Sequence, residues 1–245
     1  MEPFTILALI LIFSTAIIFS PLGLGGGLIF MPILHYIMEW EIKTAILGSL
    51  ILVWSVSLGS QFAHQKGGHG DIAMAKKGML FGVPGAIIGV ILGFLLIEHV
   101  SDITIKMIAL VIVSWICYKA ILRILSKEDI TGEVIGEMNE KYWLTGIFMG
   151  GMSSGLLGIG GGGIFVTMNR NYGGLDSKSS AGTAFMLAVM IVPTAIISHS
   201  LIDGNVSNLI EEATKIGIFV PLLVMCLSFS GAKYAIKYLP VKAIT

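Results

Sequence analysis

The chain has 245 residues, 55% of them hydrophobic and only 12% charged, with a mean hydropathy of +0.91. A soluble domain carries about 25% charged residues, so a soluble globular protein is excluded. Fifteen basic and fifteen acidic residues balance to zero net charge, which leaves no electrostatic basis for binding nucleic acid.

Apolar stretches at 4–20, 44–63, 78–97, 103–125, 178–200 and 213–238 reach or approach the ~20 residues that a bilayer-crossing helix needs. The first, opening "MEPFTILALILIFS", lacks the basic segment and small-residue cleavage site of a secretory signal and reads as a permanent membrane segment. It runs into "PLGLGGGLIF" at 21–30. A single helix over 4–38 would be about 52 Å long at 1.5 Å per residue, against a bilayer core of about 30 Å. The chain is therefore expected to turn back at the glycines. "KTAILGSL" (43–50) and a run ending at His64 follow, with Trp54 read as a packing aromatic. The loop "HQKGGHGD" (64–71) holds His69 and Asp71, but its glycines fix no geometry for a metal, and none is expected. In the next helix Gly85, Gly89 and Gly93 form a small-residue packing seam. A helix over 103–125 leads into "SKEDITGEVIGEMNEK" (126–141), a solvated acidic linker. Cys117 and Cys226 lie in apolar helices without metal-like spacing and read as packing residues.

A second glycine cluster, "GLLGIGGGGIF" (155–165), reopens the same pattern. Leu24–Gly27 faces Ile159–Gly162 at an offset of 135, and His64 faces His199 at the same offset. "KTAILGSL" faces "KSSAGTAF" (178–185), with Gly48-Ser49 paired with Gly182-Thr183 at 134. Each half carries a proline-containing helix next, in "GVPG" (82–85) and "IFVP" (218–221). This divides the chain into a first repeat at 1–125, a cytoplasmic linker at 126–141 and a second repeat at 142–245.

Charge supports the turns independently. With a reversal at both clusters, one side of the membrane receives 12 Lys and Arg, in the loops at 64–77, 119–141 and 170–178 and the C-terminus. The other receives only Lys43, Lys106 and Lys215. The positive-inside rule then puts the N-terminus outside and the C-terminus in the cytoplasm. The halves enter the membrane in opposite senses, the mark of inverted-repeat transporters. The expected fold is an all-α polytopic membrane protein, two inverted repeats with glycine-broken re-entrant or short helices at 28–38 and 164–170.

Glycine in a helix interior costs about 1 kcal/mol, so four in a row need a reason. A half-helix starting at such a break offers free N–H groups to an anion with no Cβ in the way. Arg123 and Arg170 sit at helix ends, so no fixed cation is expected in the apolar segments. The candidate binding residues are Gly25, Gly26, Gly27, Gly160, Gly161 and Gly162 through their amides, with Ser49 and Thr183 adding hydroxyls; Ser153 and Ser154 lie just before the second turn. His64 and His199 are candidates for proton coupling or gating. Close helix packing would also account for the small residues, and helix-end capping for the histidines.

Two motif matches fail on context. Gly158-x-Gly160-x-x-Gly163 lacks the strand of a dinucleotide fold, and Gly151-Met152-Ser153-Ser154-Gly155 lacks the strand–turn–helix of a nucleophile elbow. An intramembrane serine hydrolase pairing Ser153 with His199 remains the enzyme alternative, although the first half has no serine equivalent to Ser153.

"GLGGGLIFMPIL", "KTAILGSL" and His64, then "SGLLGIGGGGIFV", "KSSAGTAF" and His199 with "DGNV", resemble the TauE/SafE family of sulfite-exporter-like permeases, from about residue 20 to 238. Pro32 follows the first glycine run as the family's pattern has it, whereas Thr167 stands where a proline is usual after the second. The resemblance implies a non-enzymatic permease, usually an exporter, for small sulfur-containing anions such as sulfite or sulfonates like sulfoacetate. Alternating access is the expected mechanism and a passive anion channel the alternative. The partners are a small anion and the lipid bilayer. The reading is compatible with a homo-oligomer and calls for no cofactor or nucleic acid.

Overall fold

The computed structural model describes residues 3–99 and 137–238, together with single positions between 103 and 118. The regular structure of the described residues is helical. The helices are α1 Pro3–Phe19, α2 Gly27–Pro32 with a π-turn over Ile33–Ile37, α3 Ile42–Lys66, α4 Ile72–His99, α5 Glu140–Leu157, α6 Gly162–Asn171, α7 Ser177–Ile202, α8 Val206–Ile216 and α9 Val220–Tyr238. α3, α4, α7 and α9 are each long and apolar enough to span a membrane. α4 presents Leu80, Phe81, Ile88, Ile91, Leu92 and Leu95 outward among the described residues, an apolar surface that suits a lipid environment. The chain is a multi-pass membrane protein.

Both glycine clusters reverse the chain. From the second, α6 folds back along α5: Asn139 pairs with Tyr172 and Trp143 with Asn169, and side chains added at Gly146 and Gly150 would meet Met168 and Phe165. Numbers rise on one helix as they fall on the other, the ladder of an antiparallel hairpin. At the first, the segment Ile33–Ile37 packs back on α1, and Gly26 lies against Thr15. At 10 residues, α6 is about 15 Å long, half a bilayer core. Pro32 has no N–H for the helical ladder, and α2 loosens into its π-turn at once. Thr167, at the matching place, bonds Gly163 O through its hydroxyl at 2.8 Å, and α6 runs on unbroken.

α4 and α5 run parallel and touch backbone to backbone. Gly85 meets Phe148 O, Gly89 meets Met152 O, and from the other side Gly151 meets Gly82 O and Gly155 meets Ala86 O. The expected seam over Gly85, Gly89 and Gly93 is thus present, completed by glycines of the partner helix. Ion pairs fix which ends share a face: Lys77–Glu140 at 2.7 Å joins the starts of α4 and α5, and Lys43–Glu98 at 3.5 Å joins the start of α3 to the end of α4.

Two readings change, and one falls beyond the described residues. The stretch 213–238 is not one helix: Gly217, at φ 104°, separates the amphipathic α8 from α9. Cys226 is exposed on α9 rather than packed. The linker at 126–141 falls outside the described residues up to 136, as does Cys117.

Candidate functional site

The two elbows pack on each other at the centre of the protein. A Cβ on Gly27 would strike the Ile159 carbonyl, and one on Gly162 would lie 2.7 Å from the carbonyl oxygens of Gly23 and Leu24. Adding 135 to Gly27 and Leu24 gives Gly162 and Ile159, so the contact is reciprocal. The same holds one turn away, where Gly23 lies against Ala181 and Gly158 against Ile46. Positive φ recurs in matched pairs, at Gly23/Gly158 (78°/70°), Gly25/Gly160 (70°/73°) and Gly26/Gly161 (79°/68°), a region costly for any residue with a Cβ. Val53 of α3 wedges against both Gly25 and Gly160.

The constant offset revises one pairing. Trp54 Nε1 donates to Val189 O at 3.3 Å, a separation of 135 in sequence, where α3 and α7 cross antiparallel. Ser49 therefore corresponds to Ala184, and Thr183 to Gly48, rather than Ser49 to Thr183. A one-residue slip on a helix rotates a side chain by about 100°. Ser49 Oγ donates to Gly158 O at 2.8 Å and ties α3 to the second elbow. Thr183 Oγ1 instead accepts from the Asp71 amide at 2.9 Å and holds the 67–71 loop on α7. Both side chains are fully buried.

Gly25–Gly27 and Gly160–Gly162 are buried, and no hydrogen bond among the described residues uses their amides as donors. Gly26 and Gly161 cap α2 and α6 with no side-chain partner for the first N–H groups. Backbone left open at membrane depth persists only beside protein groups or a polar cavity that can satisfy it.

His199 is 2% exposed and fully engaged. Its Nε2 lies 2.7 Å from Gly155 O, and its Nδ1 lies 2.6 Å from Asp203 Oδ2. A carbonyl only accepts, so Nε2 carries a hydrogen; the contact to Asp203 then needs a second proton, on Nδ1 or on the carboxyl. The sequence pattern holds Asp203 in "DGNV" beside His199 but assigns it no role; it sits one turn on at the helix end. His64 is 0% exposed; its ring is directed at the backbone of Ser20 and Lys178, where neither nitrogen completes a well-formed hydrogen bond among the described residues. Its ring stacks at 5.6 Å from Phe185 and faces the backbone of Ser20, the counterpart of Gly155. Gly68 lies 135 residues before Asp203.

Ser153 donates to Gly150 O at 2.9 Å within its own helix, and His199 Nε2 is taken by Gly155, so the serine–histidine pair of a hydrolase is not formed. Arg170 ends α6 as expected but is only 1% exposed, a buried cation where none was expected.

Known proteins place this architecture. The sequence pattern of the sulfite exporter TauE/SafE family matches residues 7–245. The chain belongs to that family. A "probable membrane transporter protein" of Methanocaldococcus jannaschii is 26% identical over 243 residues, covering 94% of this chain and 85% of the relative. No solved structure matches. Membership places the TauE/SafE chain among membrane transporters.

Proposed function

We propose that this TauE/SafE protein exports small sulfur-containing anions, sulfonates such as sulfoacetate or sulfite, by alternating access. The anion binds between the elbows, held by the amides of Gly25–Gly27 and Gly160–Gly162 with Ser49 close by. Thr183 acts at one remove, by fixing the 67–71 loop. His64 and His199 gate the two ends, and the proton shared by His199 and Asp203 couples to transport. The reciprocal elbow contact carries this reading: equivalent residues meet across antiparallel α3 and α7, the relation expected of two inverted repeats that rock about a fixed midplane site. Family membership supports the anion class. The basic loops favour an external N-terminus and a cytoplasmic C-terminus.

The test is purified protein in liposomes loaded with sulfite, sulfoacetate or sulfate. A carrier saturates and shows counterflow of labelled anion against its own gradient. Saturable counterflow of at least one sulfur oxyanion is expected. Unsaturable, channel-like conductance, or no movement of any of the three, overturns the reading.

A further inference from the structure

One face of α3 carries polar groups that the elbows do not account for. Val53, Ser57, Ser60 and His64 recur at helical spacing on the side turned to the first elbow. Ser57, Ser60 and His64 are each 0% exposed; neither hydroxyl has a hydrogen-bond partner among the described residues, and the His64 ring is directed at the backbone of Ser20 and Lys178. Ser57 Oγ lies 3.9 Å from the place of a Cβ on Gly25, and His64 faces the backbone of Ser20. The groups thus form a line from the elbow toward the loop that holds His69.

The matching face of α7 does not repeat this. Adding 135 gives Val192, Ala195 and His199: two apolar residues, both 0% exposed, and a histidine already bonded at both nitrogens. Buried hydroxyls without partners are costly to desolvate. Ionisable groups inside a membrane segment, as His64 is, mark solute or ion pathways, and partnerless hydroxyls beside one extend that line. Ser55 and Ser200, by contrast, quench their hydroxyls on Ile51 O and Ile196 O of their own helices.

We infer that Ser57, Ser60 and His64 line the half of the solute route between the elbows and the 64–77 loop, donating hydrogen bonds to a small oxyanion as it sheds water. The opposite half has no such ladder and relies on the His199 gate. The inference rests on the transporter reading, and the two fail separately.

Two measurements decide it. In liposomes, Ser57→Ala with Ser60→Ala is expected to raise KM for sulfite at least tenfold without lowering the thermal unfolding temperature, since no intramolecular bond is removed. A destabilised variant with unchanged KM overturns the inference in favour of a structural role; a wild type that moves no anion overturns the transporter reading instead. Independently of transport, Ser60→Cys in a chain with Cys117 and Cys226 replaced by serine is labelled with N-ethylmaleimide in detergent. Sulfate or methanesulfonate is expected to slow labelling at least threefold, while Ala195→Cys reacts at a rate that neither changes. No protection by either anion sinks the route, and equal protection at both positions sinks its asymmetry.

Discussion

The two elbows share backbone to within about ten degrees in φ and contact one another through equivalent residues, yet the histidines one helix further on live in different worlds. His199 is clamped between a carbonyl and a carboxyl, whereas His64 touches an aromatic ring and backbone, with no carboxyl bonded to it among the described residues. Register and chain reversal depend on glycines, which both copies must keep because each elbow is the other's packing surface. The surroundings of the two histidines differ at one residue, Asp203 against Gly68. The two elbows thus share a scaffold, while the carboxyl beside a histidine stands on one side of it.

The elbow half of that comparison breaks hardest. Gly27→Ala and Gly162→Ala each drive a methyl into backbone that cannot step aside, and each should cost about 3 kcal/mol or more. The two losses should be similar, because the contacts are reciprocal. Thermal unfolding in detergent measures them; a large loss at one position alone would break the equivalence of the elbows.

The histidine half comes next. Asp203→Asn keeps the volume, and its amide can donate to Nδ1, so the fold should persist while the shared proton is lost. Uptake driven by an imposed pH gradient is expected to fall at least tenfold and to stop responding to the gradient. His64→Gln should slow uptake but leave that response in place. If the two variants lose the pH response alike, the division between the repeats is wrong.

Smaller effects attach to the hydroxyls that sequence alone paired. Ser49→Ala frees the Gly158 carbonyl and Thr183→Val frees the Asp71 amide, each worth about 1 kcal/mol. Only Ser49→Ala should also weaken anion binding, because Thr183 faces the loop and not the elbow. Stability and KM measured together separate the two.

Much of this was legible in the sequence. A span of 35 residues too long for one crossing, glycine runs repeated at 135 and lopsided lysines sufficed to place both reversals, and the spacing of Gly85, Gly89 and Gly93 marked a packing seam on α4 without its partner α5. What stayed hidden needed three dimensions. That the glycines pack elbow on elbow, besides leaving their amides open, is invisible in a linear pattern, because their neighbours lie 135 residues away. Aligning Ser49 with Thr183 followed residue similarity, which a helix overrides with its own phase. Asp203, quoted in "DGNV", drew no role because nothing in a linear pattern shows its carboxyl turned onto His199, and Ser57 and Ser60 drew none because small hydroxyl residues in membrane helices usually bond their own backbone, as Ser55 does.

The smallest expected effect lies in the loop before α4. His69 has its pKa lowered from the usual 6.5, first by burial against α7 and then by the nearby Lys178, with Asp176 pulling weakly the other way. Its carbonyl packs on Gly182 and its ring lies 6.4 Å from His64. A base that binds its proton less well folded than unfolded stabilises the fold fully only above pH 6.5, and that contribution drains away as pH falls below it. The wild type should therefore lose thermal stability between pH 7.5 and 5.5, and His69→Gln, which cannot charge, should lose less. Trypsin cleavage after Lys66 offers a local readout of the same event, since the loop must leave α7 to be cut. If the substitution leaves both pH profiles where they were, His69 is not what pins this end of the first repeat to the second, and the Thr183–Asp71 bond holds the loop alone.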